Sequence, residues 1–202
     1  MIEIDIKELE RAKKTLQGIE NGIERAATSA INHSLSKAKT KLKRKITETY
    51  YIKSSDIEKT LSIKKANFST LAGTISSRSK RTSLPKMKLK KSGKDLLVGI
   101  KKENGVQLLS GKSELFGKPF IARMKNGHIG VFQRKISKRI GAGEKKSEEQ
   151  ENPIQELYTS SIPQMAGEKG VQKYIEEEAE KMVNERFIHE VDRILRGYFK
   201  WL

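Results

Sequence analysis

The chain has 202 residues, with 42 Lys and Arg against 25 Asp and Glu for a formal net charge of +17, and it contains no Cys. This length favours one domain with appendages. The lack of Cys excludes disulfides and thiolate zinc sites. Its apolar runs are far below a membrane span, and its first residues do not resemble a secretory signal. We expect an aqueous, cytoplasmic setting.

The positive charge is concentrated in one part of the sequence. Residues 37–102 contain 20 basic and 4 acidic side chains, whereas residues 151–202 contain 7 basic and 10 acidic ones. A field of this strength attracts polyanions by releasing their counterions. Nucleic acid is therefore the first expected partner, and an acidic protein surface is the second.

Apolar residues at steps of three and four between residues 9 and 46 predict amphipathic helices. Gly18 and Gly22 interrupt this stripe, so we predict a short first helix and a second helix from about residue 21. Three basic residues of the second helix lie away from its apolar stripe and are predicted to face water or a polyanion. These residues are Lys37, Lys41 and Arg44.

A short helix and then several strands are predicted after the long helices. The polar residues 54–56 favour a helix cap before a helix at about residues 57–60. Strand patterns follow at residues 61–65, 69–75, 95–101 and 106–109, and the Asn126-Gly127 pair predicts a hairpin. We expect an α+β fold, in which N-terminal helices pack on one antiparallel, barrel-like sheet of about five or six strands.

Residues 78–94 are basic, contain no acid and show no apolar period. We predict an irregular loop there, and because its like charges repel one another, we expect it to face a negative neighbour. The basic residues assigned to this candidate site are Arg78, Lys80, Arg81, Lys86, Lys88, Lys90 and Lys91.

The C-terminal part is predicted as an extended segment over residues 153–165 and a helix from about residue 171. Polar, low-complexity residues 141–152 predict a flexible linker between residues 1–140 and 153–202, all within one domain. Apolar and aromatic side chains of the last part are predicted to contact a neighbouring subunit or another partner protein. They are Leu157, Tyr158, Tyr198, Phe199, Trp201 and Leu202.

Signs of catalysis are few in this sequence. The three histidines lie on different predicted elements, and no phosphate-binding loop or nucleophile elbow is present. His189 and Asp192 share a helix face without a third ligand, and His128 is interpreted as an exposed residue beside a turn. We expect no enzyme activity, no metal and no cofactor.

Two motifs resemble the phage minor tail protein Z family. Residues 119–134 read PFIARMKNGHIGVFQR, similar to the family's AFI…NGH…VFxR hairpin. Residues 153–158 and 162–165 read PIQELY and IPQM, similar to its PIxELYxxSxPQM signature in the same order. The resemblance extends more loosely to the N-terminal helices.

This resemblance implies a structural virion protein of a phage or prophage tail, assembled in the host cytoplasm. It implies a role in tail completion and head–tail joining, with other copies in a ring around the DNA channel. Tail or head-completion proteins and non-specific DNA contacts are the other expected partners, without a membrane. The alternative is a free, sequence-independent nucleic-acid-binding protein encoded by a prophage, although aromatic residues are few, at 6%.

Overall fold

A computed structural model of the protein describes residues 6–93, 95–109, 117–135 and 154–199. The helices are α1 (Ile6–Thr15), α2 (Gly22–Thr49), α3 (Ser54–Glu58), α4 (Ile162–Ala166) and α5 (Lys169–Phe199). The strands are β1 (Leu61–Lys64), β2 (Thr74–Ser77), β3 (Thr82–Ser83), β4 (Lys88–Ser92), β5 (Asp95–Gly99), β6 (Gln107–Leu108), β7 (Phe120–Arg123), β8 (Ile129–Arg134), β9 (Ile154–Glu156) and β10 (Tyr158–Thr159). The α+β class is confirmed. None of the described helices is both long and apolar enough to cross a membrane.

The chain forms two compact units that interleave along the sequence. The first unit comprises Met1–Lys45, Ile57–Arg78 and Pro163–Leu202, and the second comprises Ile46–Asp56 and Ser79–Ile162. The predicted division at residues 140 and 152 stays a prediction. The predicted linker, residues 141–152, lies outside the described residues.

The predicted break between two N-terminal helices is confirmed. Gly18 has φ 95° and Asn21 has φ 52°, a left-handed backbone that an α-helix cannot continue through. Beyond the break, α1 and α2 pack against α5 in one apolar cluster of the first unit. Its buried members are Ala12, Leu16, Ala26, Ala27, Ala30, Phe187 and Val191.

The single predicted sheet is wrong, because the strands form four small antiparallel sheets. Their orders are β1-β2, β10-β3, β4-β5-β6 and β7-β8-β9, and the described strands close no barrel. The second strand begins at Thr74 and not at residue 69. A turn precedes it, in which the Thr70 backbone N–H donates to Asn67 Oδ1 at 2.7 Å. The short helix begins at Ser54, so the expected cap residues form its first turn.

The prediction of an irregular loop at residues 78–94 is also wrong. The segment contains β3, a 3₁₀ turn at Leu84–Lys86 and β4, which pairs with β5 in an antiparallel ladder. Leu84 and Met87 are buried and anchor the segment. Exposed lysines on both sides of the half-buried Leu89 conceal the strand period of β4.

Both motif regions are ordered in the described residues. The Asn126-Gly127 hairpin is confirmed as β7 and β8, and Gly127 at its turn has φ 83°. The predicted extended segment holds for β9 and β10, but from Ile162 it is wrong, because α4 begins there. Ile162 and Met165 are buried, and this burial favours the helical turn.

Candidate nucleic-acid and partner interface

Lysines on α2 pair with carboxylates of the first unit. Lys39 and Lys43 both form ion pairs with Glu58, and Lys41 pairs with Glu178 of α5. Hydrogen bonds from the two lysines hold the pKa of Glu58 below its usual value. The hydrogen bond between Lys41 and Glu178 lowers the pKa of Glu178 and raises the pKa of Lys41. These three α2 lysines are therefore neutralised within the chain.

The three predicted cations of α2 have different surroundings. Lys37 and Arg44 are exposed, whereas Lys41 is half-buried against Glu178. Their role in binding a partner stays a prediction. To bind a partner, Lys41 would have to release the Glu178 carboxylate, which already accepts a hydrogen bond from its ammonium group.

Strand β4 presents its lysines on the two faces of a small sheet. Lys88 and Lys90 lie opposite Gly99 and Leu97 of β5 and share one face. The other face carries Leu89 and Lys91, opposite Val98 and Leu96, both of which are buried. Lys88, Lys90 and Lys91 are all exposed.

Tyr51, two residues after the end of α2, lies on the face that carries Lys88. The Lys88 Nζ atom lies 4.8 Å from the centre of the Tyr51 ring, and Lys102 Nζ lies 5.9 Å from it. A Cβ atom at Gly99 would come within 2.8 Å of the ring, so this position must be glycine for the ring to lie there. We call Tyr51, Lys88, Lys90 and Lys102 the Tyr51 face.

Backbone hydrogen bonds fix Tyr51 and Lys102 to the sheet. The Tyr51 N–H donates to the Ile100 carbonyl and the Lys102 N–H donates to the Thr49 carbonyl, each at 2.9 Å. The sequence analysis missed Tyr51 and Lys102. The signal available was an aromatic residue shortly after a basic helix, but nothing local showed that β5 would return beside it.

The cations of the Tyr51 face have no ion-pair partner among the described residues. Ion pairs in this unit involve other lysines: Lys86 with Asp56 at 3.6 Å, Lys118 with Asp95 at 2.9 Å, and Lys101 with Glu103 at 3.5 Å. Within the described part of the chain, no carboxylate lies within ion-pair distance of the cations of β4 or of Lys102. Predicted residue Lys86 is thus partly neutralised, and its neighbours on β4 are not.

A groove of about 670 Å³ brings two predicted sets of residues together. Basic residues Lys80 and Arg81, from the predicted polyanion site, line it beside Leu157 and Tyr158, from the predicted interface. Tyr158 is 48% exposed, and Leu157 is half-buried. Exposed Arg78 belongs to the first unit, where its N–H donates to the Thr60 carbonyl at 3.0 Å.

Glu156, which also lines this groove, is the centre of a polar cluster. Its carboxylate accepts hydrogen bonds from Ser83 Oγ at 3.0 Å, His128 Nε2 at 2.8 Å and Tyr158 Oη at 2.6 Å. Burial opposes ionisation of Glu156, but the hydrogen bonds from Tyr158, His128 and Ser83 outweigh it and hold the pKa below its usual value. A Cβ atom at Gly130 would come within 2.8 Å of Glu156 Oε1.

This cluster joins the two sequence motifs, because His128 belongs to one and Glu156 and Tyr158 belong to the other. His128 is partly exposed, as expected, but the sequence analysis missed its bond to Glu156. Ser83 and His128 both donate to one carboxylate, an arrangement that holds strands together. Across the described residues, no three His, Asp or Glu side chains are grouped closely enough to hold a metal ion.

The C-terminal candidates are only partly described. Tyr198 and Phe199 lie in the last turn of α5, and their side chains fall outside the described part. Trp201 and Leu202 lie outside the described residues. Their predicted contact with a neighbour stays a prediction.

Comparison with known proteins identifies one family. Searches of curated proteins and of solved structures find no match. The family model for prophage minor tail protein Z (GPZ) matches residues 6–201, which include both motifs and all ten of the described strands. The family resemblance read from the two motifs is confirmed, and the chain belongs to the prophage minor tail protein Z family.

Proposed function

We propose that this phage minor tail protein completes the tail and joins it to the head, as a structural subunit and not as an enzyme. The observation that carries the proposal is the family match over residues 6–201. Two features of the second unit support it: a cationic sheet face, and a groove that combines cations with an exposed aromatic ring. Both suit contacts with other macromolecules better than chemistry on a small substrate.

The proposed partners are other copies of this chain and tail or head-completion proteins. A formal charge of +17 makes free subunits repel one another, so we propose that a ring forms fully only on the tail. The groove lined by Lys80, Arg81, Leu157 and Tyr158 is the proposed protein contact. Arg and Tyr side chains are enriched in such interfaces, and the groove offers both in Arg81 and Tyr158.

The proposed location is the virion tail, with assembly in the host cytoplasm. The cations of β4 would then face the DNA channel or an acidic ring partner. No cofactor or metal is needed for either contact. A free, sequence-independent nucleic-acid-binding protein is the alternative, and the exposed lysines of β4 are the observation that favours it.

Deletion of the gene in a phage that encodes this protein tests the tail role. We expect particles with tails that fail to join heads, seen by electron microscopy, and rescue by the intact chain. Lys80→Ser with Tyr158→Ala should rescue poorly. The exposed pair Lys59→Ser with Phe68→Ala is a matched control outside the groove and should rescue fully.

The location of the protein distinguishes the proposed tail role from the alternative function. A tail protein is present in purified particles at a fixed ratio to the other tail proteins, as measured by mass spectrometry. A free nucleic-acid-binding protein stays in the lysate. Normal, joined particles from the deletion phage would overturn the proposed function.

A further inference from the structure

The Tyr51 face carries two cations at a regular spacing. Lys88 and Lys90 are two residues apart on one strand and point to the same side of the sheet. A strand rises about 3.4 Å per residue, so their attachment points are about 6.8 Å apart. One strand of duplex DNA places a phosphate about every 3.4 Å along the helix axis. The two lysines therefore span about two phosphates, whatever the base sequence.

A third cation is held beside them by the aromatic ring. Lys102 Nζ and Lys88 Nζ lie 5.9 and 4.8 Å from the centre of the Tyr51 ring. Ammonium groups are attracted to the negative face of an aromatic ring. The ring itself is seated against Gly99. Tyr51 thus keeps two like charges near each other at a site where they would otherwise separate.

The charges on this face are available to a ligand. Among the described residues, no carboxylate lies within ion-pair distance of Lys88, Lys90 or Lys102, in contrast to the paired lysines of α2. Exposed lysines without partners gain most from a polyanion whose condensed counterions are released on binding.

We propose that the Tyr51 face binds the sugar–phosphate backbone of DNA without reading its base sequence. This inference rests on the proposed function, because it gives the chain a contact with the DNA that passes through the tail. DNA is favoured over an acidic protein, since a duplex repeats its charges regularly along its whole length and so offers a phosphate to each lysine in any register. A folded protein would need carboxylates aligned in a matching row.

The first experiment measures binding of the full chain to a labelled duplex of random sequence and about 20 base pairs, by fluorescence anisotropy over about 50–200 mM salt. The log affinity of the parent protein should fall linearly with log salt. In the triple variant Lys88→Ser, Lys90→Ser and Lys102→Ser, the slope should become shallower by about 2.7, which corresponds to three phosphate contacts.

A matched control removes the same charge elsewhere. Lys59, Lys64 and Lys65 are exposed lysines of the first unit, and their triple substitution to Ser lowers the net charge equally. We expect its slope to change by less than about one. Equal effects of the two triple variants would overturn the proposal, because general attraction by a basic protein would then explain the binding.

A second variant tests Tyr51 as a positioning residue without altering charge. Tyr51→Leu should weaken binding by roughly three- to tenfold, because Lys88 and Lys102 lose the ring that holds them. Its salt slope should stay nearly that of the parent. Tyr51→Phe keeps the ring and should restore the affinity. Weak binding by the Phe variant would assign the effect to the hydroxyl and overturn the positioning role.

Further outcomes separate this inference from the proposed function. Circular dichroism should show that every variant is folded, and the arginine version of the triple variant should keep the parent slope. A parent that binds poly-glutamate but not DNA at about 50 mM salt would overturn the inference in favour of an acidic partner. If deletion of the gene still blocks head joining in that case, the tail role stands without the DNA contact.

Discussion

The lysines of α2 and those of β4 are similarly dense along the sequence but have opposite surroundings. On α2, Lys39 and Lys43 share Glu58, and Lys41 pairs with Glu178. On β4, the exposed lysines have no carboxylate within ion-pair distance among the described residues. A run of basic residues therefore does not by itself mark a ligand surface. Whether a basic run can bind a ligand depends on whether the tertiary structure places carboxylates beside it.

The largest expected loss of stability comes from removing a buried carboxylate of the first unit that pairs with two arginines. Glu190 is fully buried on α5, with Arg186 Nη2 at 2.5 Å and Arg193 Nη2 at 2.7 Å. Glu190→Ala removes the partner of both arginines, and we expect the free energy of unfolding to fall by about 2–4 kcal/mol. Urea unfolding measures it. Glu185 is exposed on the same helix, and Glu185→Ala is the control. Equal losses of unfolding free energy in the two variants would show that the buried pairing of Glu190 contributes nothing.

The next largest loss of stability is expected at a carboxylate of the second unit that accepts hydrogen bonds mainly from uncharged donors. Glu156→Gln should lower the free energy of unfolding by roughly 1–3 kcal/mol at neutral pH, because Ser83, His128 and Tyr158 then donate to a weaker, uncharged acceptor. The pKa of Glu156 is lowered by folding from its ordinary value of 4.5. Its stabilisation is therefore complete above pH 4.5 and is lost as the pH falls through the lowered pKa.

Urea unfolding at neutral pH and again at about pH 3 checks this dependence. The difference between parent and Glu156→Gln should shrink in acid. A difference of unchanged size would show that the charge of Glu156 contributes nothing beyond its hydrogen bonds.

A smaller effect is expected from the ion pair between α2 and α5. A double-mutant cycle with Lys41→Ser and Glu178→Gln should give a favourable coupling in low salt, which disappears at about 1 M salt, where the Debye length is about 3 Å. The more exposed pair of Lys173 and Glu177, 3.8 Å apart, is the control and should couple less. A coupling that persists in high salt would mean that packing, and not charge, links the two side chains.

The smallest effect is expected where the lysines have no partner. Lys90→Ser and Lys91→Ser together should change the free energy of unfolding by no more than about 0.5 kcal/mol, since exposed substitutions away from specific contacts seldom do more. At low salt the change should be a gain, because like charges on β4 no longer repel. Thermal unfolding at two salt concentrations measures it, and a clear loss would show that these lysines are structural.

Elements with strong local signals were predictable from the sequence. The turn at Asn126-Gly127 and the helix break near Gly18 both depend on backbone conformations that few residues adopt. Strand β4 was not predictable in this way. Its Lys-Leu-Lys pattern looks like a charged loop until β5 pairs with it and Leu84 and Met87 are buried nearby.

The candidate sites depend on contacts between distant parts of the sequence. The bond between His128 and Glu156 joins residues from two motifs, and each motif alone contains only a polar side chain near a strand. Tyr51 acquires its two lysines only because β5 returns beside the end of α2. Predicted interface residues Leu157 and Tyr158 likewise meet Lys80 and Arg81 in one groove that no local pattern indicates.

The core of the first unit has a consequence for the nascent chain. It joins Ala12, Leu16 and Ala30 from the first two helices to Phe187 and Val191 from the last one. At roughly 5–20 residues per second, a ribosome adds α5 on the order of ten seconds after α2. The apolar stripe of α1 and α2 is without its main partner during that interval, whereas the described strands of the second unit are all synthesised before α5. We expect chaperones to bind the helical N-terminus during synthesis, and chains released before α5 to aggregate.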